Sequence, residues 1–370
     1  MTMRTAVVRA SKILLLVLAV VLIGPEDPMR LLAASGADLV LGGKEVRLTG
    51  INLPQAGTEP TVNAGCGAGI DLDRVLAQLP PRSLVRVFFG QDLTLNATTG
   101  QRDWRGLDRV VAAAETSPSQ PLLVVGLTNQ WGICDGAEFK GHAWYAGGFR
   151  TNVPAGLTEP GRVPYLHYLH EVVRRYGTSP AIVMWEPVGE PEASACTPGP
   201  TNSGCYGDAL TCPADASVVL GQFFTEVTAV VRRHAPGRLI GSAAIGGNQC
   251  GWAGPQGRAL MGHTDIDVLT VHDFRQQPGL DEVGRETMRW AEQIGKPVLL
   301  EEIGLTAQDH ADCMSKQERA QRLTDKINEA ARAGADGWLL WAFGEATTAC
   351  DMYIGFEDPS FALLQGPLGR

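Results

Sequence analysis

The chain has 370 residues, of which 44% are apolar and only 19% charged, enough for one large core in one domain. Forty acidic residues against 31 basic ones give a formal charge of −9 with no basic block, which argues against a nucleic-acid partner and leaves neutral ligands open. In chain order, the N-terminus reads as an export signal. Arg4, Arg9 and Lys12 form a basic flank, and the run from Ile13 to Gly24 is small and apolar, ended by Pro25 and Glu26. Those 12 residues are too few to span a bilayer comfortably as a helix. The small residues Ala33, Ala34, Ser35 and Ala37 lie later than a normal cleavage site; cleavage near there is one expectation and retention as a membrane anchor the other. The expected organisation is a leader over 1–36 and one catalytic-size domain over 37–370.

Leu39–Leu41 and Val46–Leu48 flank Gly42-Gly43, which predicts a hairpin. Apolar, β-branched runs then predict strands at 46–51, 84–89, 122–126, 181–185, 239–242, 268–271, 298–301 and 337–341. Several are continuously apolar, as in strands buried on both faces. Helical patterns lie between them. Tyr165, Leu169, Val172, Val173 and Tyr176 share one face, as do Leu220, Phe223, Phe224, Val227, Val230 and Val231. Ser315 and Glu318 form a capping box, with Gly334 placed to end that helix. Such helices fit a doubly wound open sheet as well. Eight strand candidates without a Gly-rich phosphate fingerprint favour a closed (β/α)8 TIM barrel, with long loops after strands three and four.

The eight cysteines, Cys66, Cys134, Cys196, Cys205, Cys212, Cys250, Cys313 and Cys350, are even in number and agree with export and disulfide bonding. None shows the CxxC spacing of a zinc site, and no metal or other cofactor is expected. Connectivity is open at this stage. Three of them crowd a Gly/Pro/Ser/Thr-rich stretch that a cross-link would stabilise.

Two apolar strands end in carboxylates: Ile182-Val183-Met184-Trp185-Glu186-Pro187-Val188-Gly189-Glu190-Pro191 and Pro297-Val298-Leu299-Leu300-Glu301-Glu302-Ile303-Gly304. In one parallel barrel both ends reach the same face. There, one protonated and one ionised carboxyl can cleave a glycosidic bond. A separation of about 5 Å gives retention of configuration, and a wider gap admits water and gives inversion. The same residues also suit ordinary strand-end ion pairs.

These segments resemble the retaining glycoside hydrolases of clan A, and family 5 most closely, over nearly the whole mature chain. Trp185, Glu186, Glu190 and Pro191 match that family's Trp-Glu-x-x-Asn-Glu-Pro pattern, and Glu302-Ile303-Gly304 its Glu-x-Gly pattern after an apolar run. Arg175-Tyr176 followed by Ser179-Pro180-Ala181-Ile182 matches the lead into strand four. The resemblance implies Glu190 as acid/base and Glu302, rather than Glu301, as nucleophile. It implies Arg86 as the arginine that orients the nucleophile, His272 as the histidine after strand six, and Trp341 as the floor of the sugar site. Asn129 and Trp131 resemble the strand-three loop of the β-mannanase branch, as a sugar hydrogen-bonder and a stacking ring. Trp144 and Trp252 are weaker stacking candidates.

Two positions depart from the family pattern. Gly189 stands where the family has an Asn that bonds the sugar 2-hydroxyl, and Phe274 where it has a Tyr that donates to the nucleophile. Losing one preorganised donor costs about 2–4 kcal/mol of transition-state stabilisation. The expected function is hydrolysis of β-linked glycans of mannan or glucan type by double displacement, outside the cell or at its surface, by a monomer acting on an oligo- or polysaccharide. Any membrane contact would be through the N-terminal segment. A carbohydrate-binding barrel with weakened or lost catalysis is the alternative that Gly189 and Phe274 raise. An esterase reading lacks a Gly-x-Ser-x-Gly elbow.

Overall fold

A computed structural model describes residues 31–365 apart from 64, 66, 68, 137–138, 155–159, 197–209, 309–311 and 346–348. The leader expected at the N-terminus, Cys66 and Cys205 lie outside the described residues.

The eight expected strands all form and make one parallel sheet: β1 (Leu48–Leu53), β2 (Leu84–Phe88), β3 (Leu122–Gly126), β4 (Ile182–Glu186), β5 (Leu239–Ile240), β6 (Leu269–Asp273), β7 (Val298–Ile303) and β8 (Gly337–Leu340). Each pairs with its sequence neighbours, and β8 pairs back onto β1. The ring closes between β5 and β6 through a parallel bridge of Gly241 with Val268 and the Ser242 N–H donating to the Val268 carbonyl at 2.9 Å. This is the (β/α)8 barrel. Seven helices follow β1 to β7 in turn: α1 (Leu72–Gln78), α2 (Arg105–Thr116), α3 (Tyr165–Tyr176), α4 (Ala216–His234), α5 (Gly254–Met261), α6 (Glu282–Ile294) and α7 (Lys316–Arg332). A 3-10 turn over Pro359–Leu364 takes the eighth place.

Period-two alternation sorts the strand residues between two apolar layers, broken in β4 by a register shift against β3. Leu84, Leu122, Val124, Met184, Leu299 and Leu339 fill the barrel interior at its N-terminal end. Val85, Val87, Leu123, Val125, Ile182 and Leu300 face outward under the helices. The helix faces read from the sequence are the buried ones: Leu169, Val172 and Val173 in α3, and Phe223, Phe224 and Val227 in α4. Ser315 caps α7 by accepting the Glu318 N–H at 3.1 Å.

The hairpin differs from expectation. Its arms are Asp38–Leu41 and the two-residue Lys44–Glu45, and Leu48 already belongs to β1. Gly42 and Gly43 both take positive φ, as a two-residue hairpin turn requires. A further strand, Leu32–Ser35, pairs with Asp38–Leu41, and it lies N-terminal to the expected domain start at 37. Leu32, Leu39 and Leu41 pack on the N-terminal interior layer and close that end. Strand β5 is shorter than expected, and Gly241 continues it only as the bridge to Val268.

Among the described residues Cys212 is bonded to Cys250 and Cys313 to Cys350, and Cys134 and Cys196 are also disulfide-bonded. No described helix is long and apolar enough to cross a membrane.

Candidate active site

At the C-terminal mouth of the barrel lies a cleft of about 730 Å³ with a mostly apolar lining. Six of the seven expected site residues line it: Arg86, Asn129, Trp131, Glu190, Glu302 and Trp341. The seventh, His272, sits just behind Glu190 and Glu302.

The inward positions of β2 run Leu84, Arg86, Phe88, from apolar interior to mouth, which carries a fully buried guanidinium to the level of the strand ends. Its Nε donates to Glu186 Oε2 at 2.7 Å, and its Nη1 donates to Glu302 Oε1 and to Asn52 Oδ1, the latter at 3.2 Å. Asn52, at the end of β1, is fixed by donating to the carbonyls of Glu301 at 3.0 Å and Leu340 at 3.3 Å. Burial alone would destabilise the Arg86 charge, but Glu186, Glu301 and Glu302 outweigh it and keep the cation firmly protonated.

Strand β7 brings two consecutive carboxylates inward, which strict alternation forbids. Its pairing with β6 shifts register, so that Val271 faces Leu300 and His272 faces Glu302, leaving Glu301 as the extra residue of a bulge. Glu302 therefore reaches the cleft, while Glu301 lies fully buried beneath it. Glu301 Oε2 is 3.5 Å from Arg86 Nε and 3.2 Å from His272 Nε2. Burial drives the Glu186 carboxyl well above its ordinary range, and it hydrogen-bonds to Glu301. Arg86, Glu186 and His272 overcome the burial of Glu301 and hold it low and ionised.

Glu190 lies four residues past the end of β4, in the left-handed region at φ 57°, unusual for a residue with a side chain. That conformation costs about 1–2 kcal/mol and is held from neighbouring loops. The Glu190 N–H donates to the Ala243 carbonyl at 2.7 Å, and Gln249 Nε2 donates to the Glu190 carbonyl at 3.3 Å. Its carboxylate accepts from the Trp131 indole at 3.1 Å and from His272 Nδ1 at 2.9 Å. Burial would raise Glu190, yet the His272 hydrogen bond and charge, with Trp131, bring it below its ordinary value. Burial would lower His272, but the Glu302 charge and its bonds to Glu190 and Glu301 push it up to about 10. Glu302 is raised by its burial, against the pull of His272 and Arg86.

One ligand atom each from Glu190, His272 and Glu302 lie within 4.8 Å of one another. Three such side chains have the spacing of a metal site. Here Arg86 and His272 already pair with these carboxylates, so a further cation would sit beside two positive charges. What the arrangement does offer is two carboxyls at the short separation that retention needs.

Trp341 is held edge-on between Phe88 and Phe274, with ring centroids at 6.4 and 6.0 Å. Trp131 packs on Phe139 at 5.6 Å. Asn129 lines the cleft, but its amide is engaged in its own loop. It donates to the Ile133 carbonyl at 2.7 Å and accepts from the N–H groups of Trp131 and Ile133. Trp144 and Trp252 do not line the cleft. Trp144 is buried among Tyr145, Phe149, Tyr165 and Phe223, and Trp252 is buried with its indole donating to the Pro191 carbonyl at 2.7 Å. Both are core residues because their loops fold back on α4, which the sequence pattern does not show.

Sequence reasoning gave no site role to Asn52, Glu186, Glu301 and Gln130. The first is a fully buried amide in a mostly apolar strand, a readable signal. Gln130 ties the strand-three and strand-four loops together, donating to the Lys140 and Glu192 carbonyls at 2.7 and 2.9 Å.

No protein-family model matches the chain. Among curated proteins it is 25% identical over 264 residues to mannan endo-1,4-beta-mannosidase A of Podospora anserina, covering 67% of this chain and 61% of the relative. It is 24% identical over 270 residues to a probable mannan endo-1,4-beta-mannosidase F of Aspergillus flavus, covering 68% of this chain and 50% of the relative. The chain thus spans between half and about three-fifths of the relatives it matches. Among solved structures, the endo-1,4-beta-mannanase of Rhizomucor miehei superposes with a TM-score of 0.63 at 15% identity, over 90% of this chain and 96% of that one. The glycoside hydrolase family 5 mannosidase of the same organism gives 0.58 at 13% identity, over 91% and 96%. In sequence, then, the chain is similar to a mannan endo-1,4-beta-mannosidase over 67% of its length, and in fold to a solved mannanase and a solved mannosidase over 90% and 91% of it.

Proposed function

We propose that this chain is a retaining β-glycoside hydrolase acting on β-1,4-mannan or a related β-linked glycan, outside the cell or at its surface. The observation that carries the reading is the pair Glu190 and Glu302, facing one cleft with carboxylate oxygens within 4.8 Å. Glu302, oriented by Arg86, attacks the anomeric carbon and forms a glycosyl-enzyme. Glu190 protonates the leaving oxygen and then activates water. In the empty site the proton needed rests on His272, one 2.9 Å hydrogen bond from Glu190. When Glu302 becomes an ester its charge no longer holds that proton on His272, so acid and base roles alternate through the same pair. Trp341 and Trp131 offer apolar faces to sugar rings. The activity of the sequence relatives supports mannan as the first substrate to try, and the disulfides support export.

A second reading, a glycan-binding barrel with impaired catalysis, is favoured by Phe274. Its ring packs on Trp341 and carries no donor for Glu302. Incubation with 2-deoxy-2-fluoro-β-mannosyl and β-glucosyl fluorides, followed by peptide mass spectrometry, separates the two. A covalent adduct on Glu302 is expected. A protein that binds mannan, gives no adduct and releases no sugar would be the binding barrel.

A further inference from the structure

The wall beside the acid/base candidate offers a leaving group little but apolar surface. Trp131 bonds one oxygen of the Glu190 carboxylate and His272 the other. His272 is buried, so a leaving oxygen reaches Glu190 from the Trp131 side, along the loop after β3. The residues of that loop that line the cleft are Asn129, Trp131, Ile133 and Cys134. The Asn129 amide is engaged within the loop, the Trp131 indole N–H is given to Glu190, and Cys134 is a half-cystine. Ile133 is fixed by Asn129 at both its N–H and its carbonyl, while its side chain stands 61% exposed. Five large apolar side chains are left exposed among the described residues, and two of them, Ile133 and Tyr353, border this one cleft. They continue its apolar lining instead of standing alone, which is the pattern of a binding surface. Beyond Arg86, Glu190 and Glu302, the described lining holds three further amide or carboxyl side chains. Asn129 is one. Gln55 is buried and donates to the Phe343 carbonyl at 2.8 Å. Glu345 lies on the loop after β8, across the barrel from β4.

We propose that the group on the leaving side of the scissile bond is an apolar alcohol, alkyl or aryl, and not a further sugar. This rests on the glycosidase reading above and narrows it on one side of the bond. A sugar ring there would bring several hydroxyls against the loop after β3, and a hydroxyl shielded from water without a partner is costly. Methylenes or a phenyl ring laid on Trp131, Ile133 and Cys134 gain from the same shielding. Trp131 alone does not discriminate, since an indole face suits a sugar as well as a hydrocarbon. Ile133 does, because a branched aliphatic side chain has no flat face for a sugar ring. The chemistry is unchanged. The bond from the anomeric carbon to the alcohol oxygen breaks, that oxygen takes the proton from Glu190, and Glu302 bonds the carbon until water replaces it.

The test measures kcat/KM for the methyl, octyl and 2-phenylethyl β-1,4-mannobiosides, below micelle-forming concentrations, beside β-1,4-mannotriose, and repeats the set in the β-1,4-glucan series. The three alcohols leave with similar basicity, so their ratios read contact with the protein. The octyl or the 2-phenylethyl glycoside should exceed the methyl one about 10- to 50-fold, what burying about two or three methylenes yields, and should exceed the trisaccharide. Octyl foremost identifies an alkyl chain as the natural leaving group, and 2-phenylethyl foremost an aromatic alcohol. Ile133→Asn should fold, its side chain being largely in solvent, and should bring the apolar-to-methyl ratio down several-fold. Methyl matching both apolar glycosides, the trisaccharide outrunning both, or an unchanged ratio in Ile133→Asn would each overturn the proposal. Hydrolysis of nothing in either series by the folded, unsubstituted protein would instead sink the glycosidase reading, and this inference with it.

Discussion

The two ends of the barrel interior are built from the same strands by opposite means. At the N-terminal end the inward positions are Leu84, Leu122, Met184, Leu299 and Leu339, closed over by Leu32, Leu39 and Leu41 of the hairpin. Two residues further along β2, and likewise along β4 and β7, the inward positions become Arg86, Glu186 and Glu301, each fully buried. The first layer is stabilised by removing apolar surface from water, at about 25 cal/mol per Å². The second holds charge in the same shielded environment and survives because each charge has a partner. The difference teaches where each layer is vulnerable. An apolar layer loses in proportion to the volume removed, whereas a charged layer fails when one member is left alone.

Substitutions in the two layers should therefore behave differently. Arg86→Met leaves Glu186, Glu301 and Glu302 facing one another. Stability should fall by about 3–5 kcal/mol in urea unfolding, and turnover should be lost even in protein that remains folded. Recovery of near-native stability in that variant would show that the carboxylates neutralise one another without the arginine. Leu339→Ala at the apolar end should cost about 2–5 kcal/mol, while kcat at a temperature well below the midpoint stays near that of the unsubstituted protein. A large fall in kcat there would mean that the two layers are mechanically coupled. The smallest effect is on pH dependence. His272 is raised from 6.5 to about 10 in the fold. Its contribution to stability is thus complete below pH 6.5 and is lost as pH rises through about 10. His272→Gln should remove that part of the decline, and an unchanged stability–pH curve between those limits would assign it elsewhere.

Much of this was legible in the sequence because barrel strands are buried on both faces and announce themselves as apolar runs. All eight are where those runs lie, and Glu190, Glu302 and Arg86 meet as their strand ends suggest. The preference for Glu302 over Glu301 agrees with which of them reaches the cleft. What the runs could not convey is register. The bulge that brings Glu302 inward beside Glu301 leaves no mark in residue order, so the stacking of one carboxylate beneath the other was invisible. Tryptophans posed a different problem. Trp131 and Trp341 line the cleft while Trp144 and Trp252 are core, and all four sit in loops or at strand ends of similar composition. Only the path of each loop decides which indole meets solvent.

The loop after β5 carries a consequence for how such a protein must be made. Gln249 and Trp252 hold the backbone of Glu190 and Pro191, and Cys250, between them, is bonded to Cys212 in the approach to α4. One of the clamps on the acid/base candidate therefore sits on a loop pinned by a bond that only an oxidising compartment forms. Material produced in a reducing cytosol should hold Glu190 more loosely than oxidised material. Poor turnover in such a preparation would be a record of where the chain was folded, not of what its carboxylates can do.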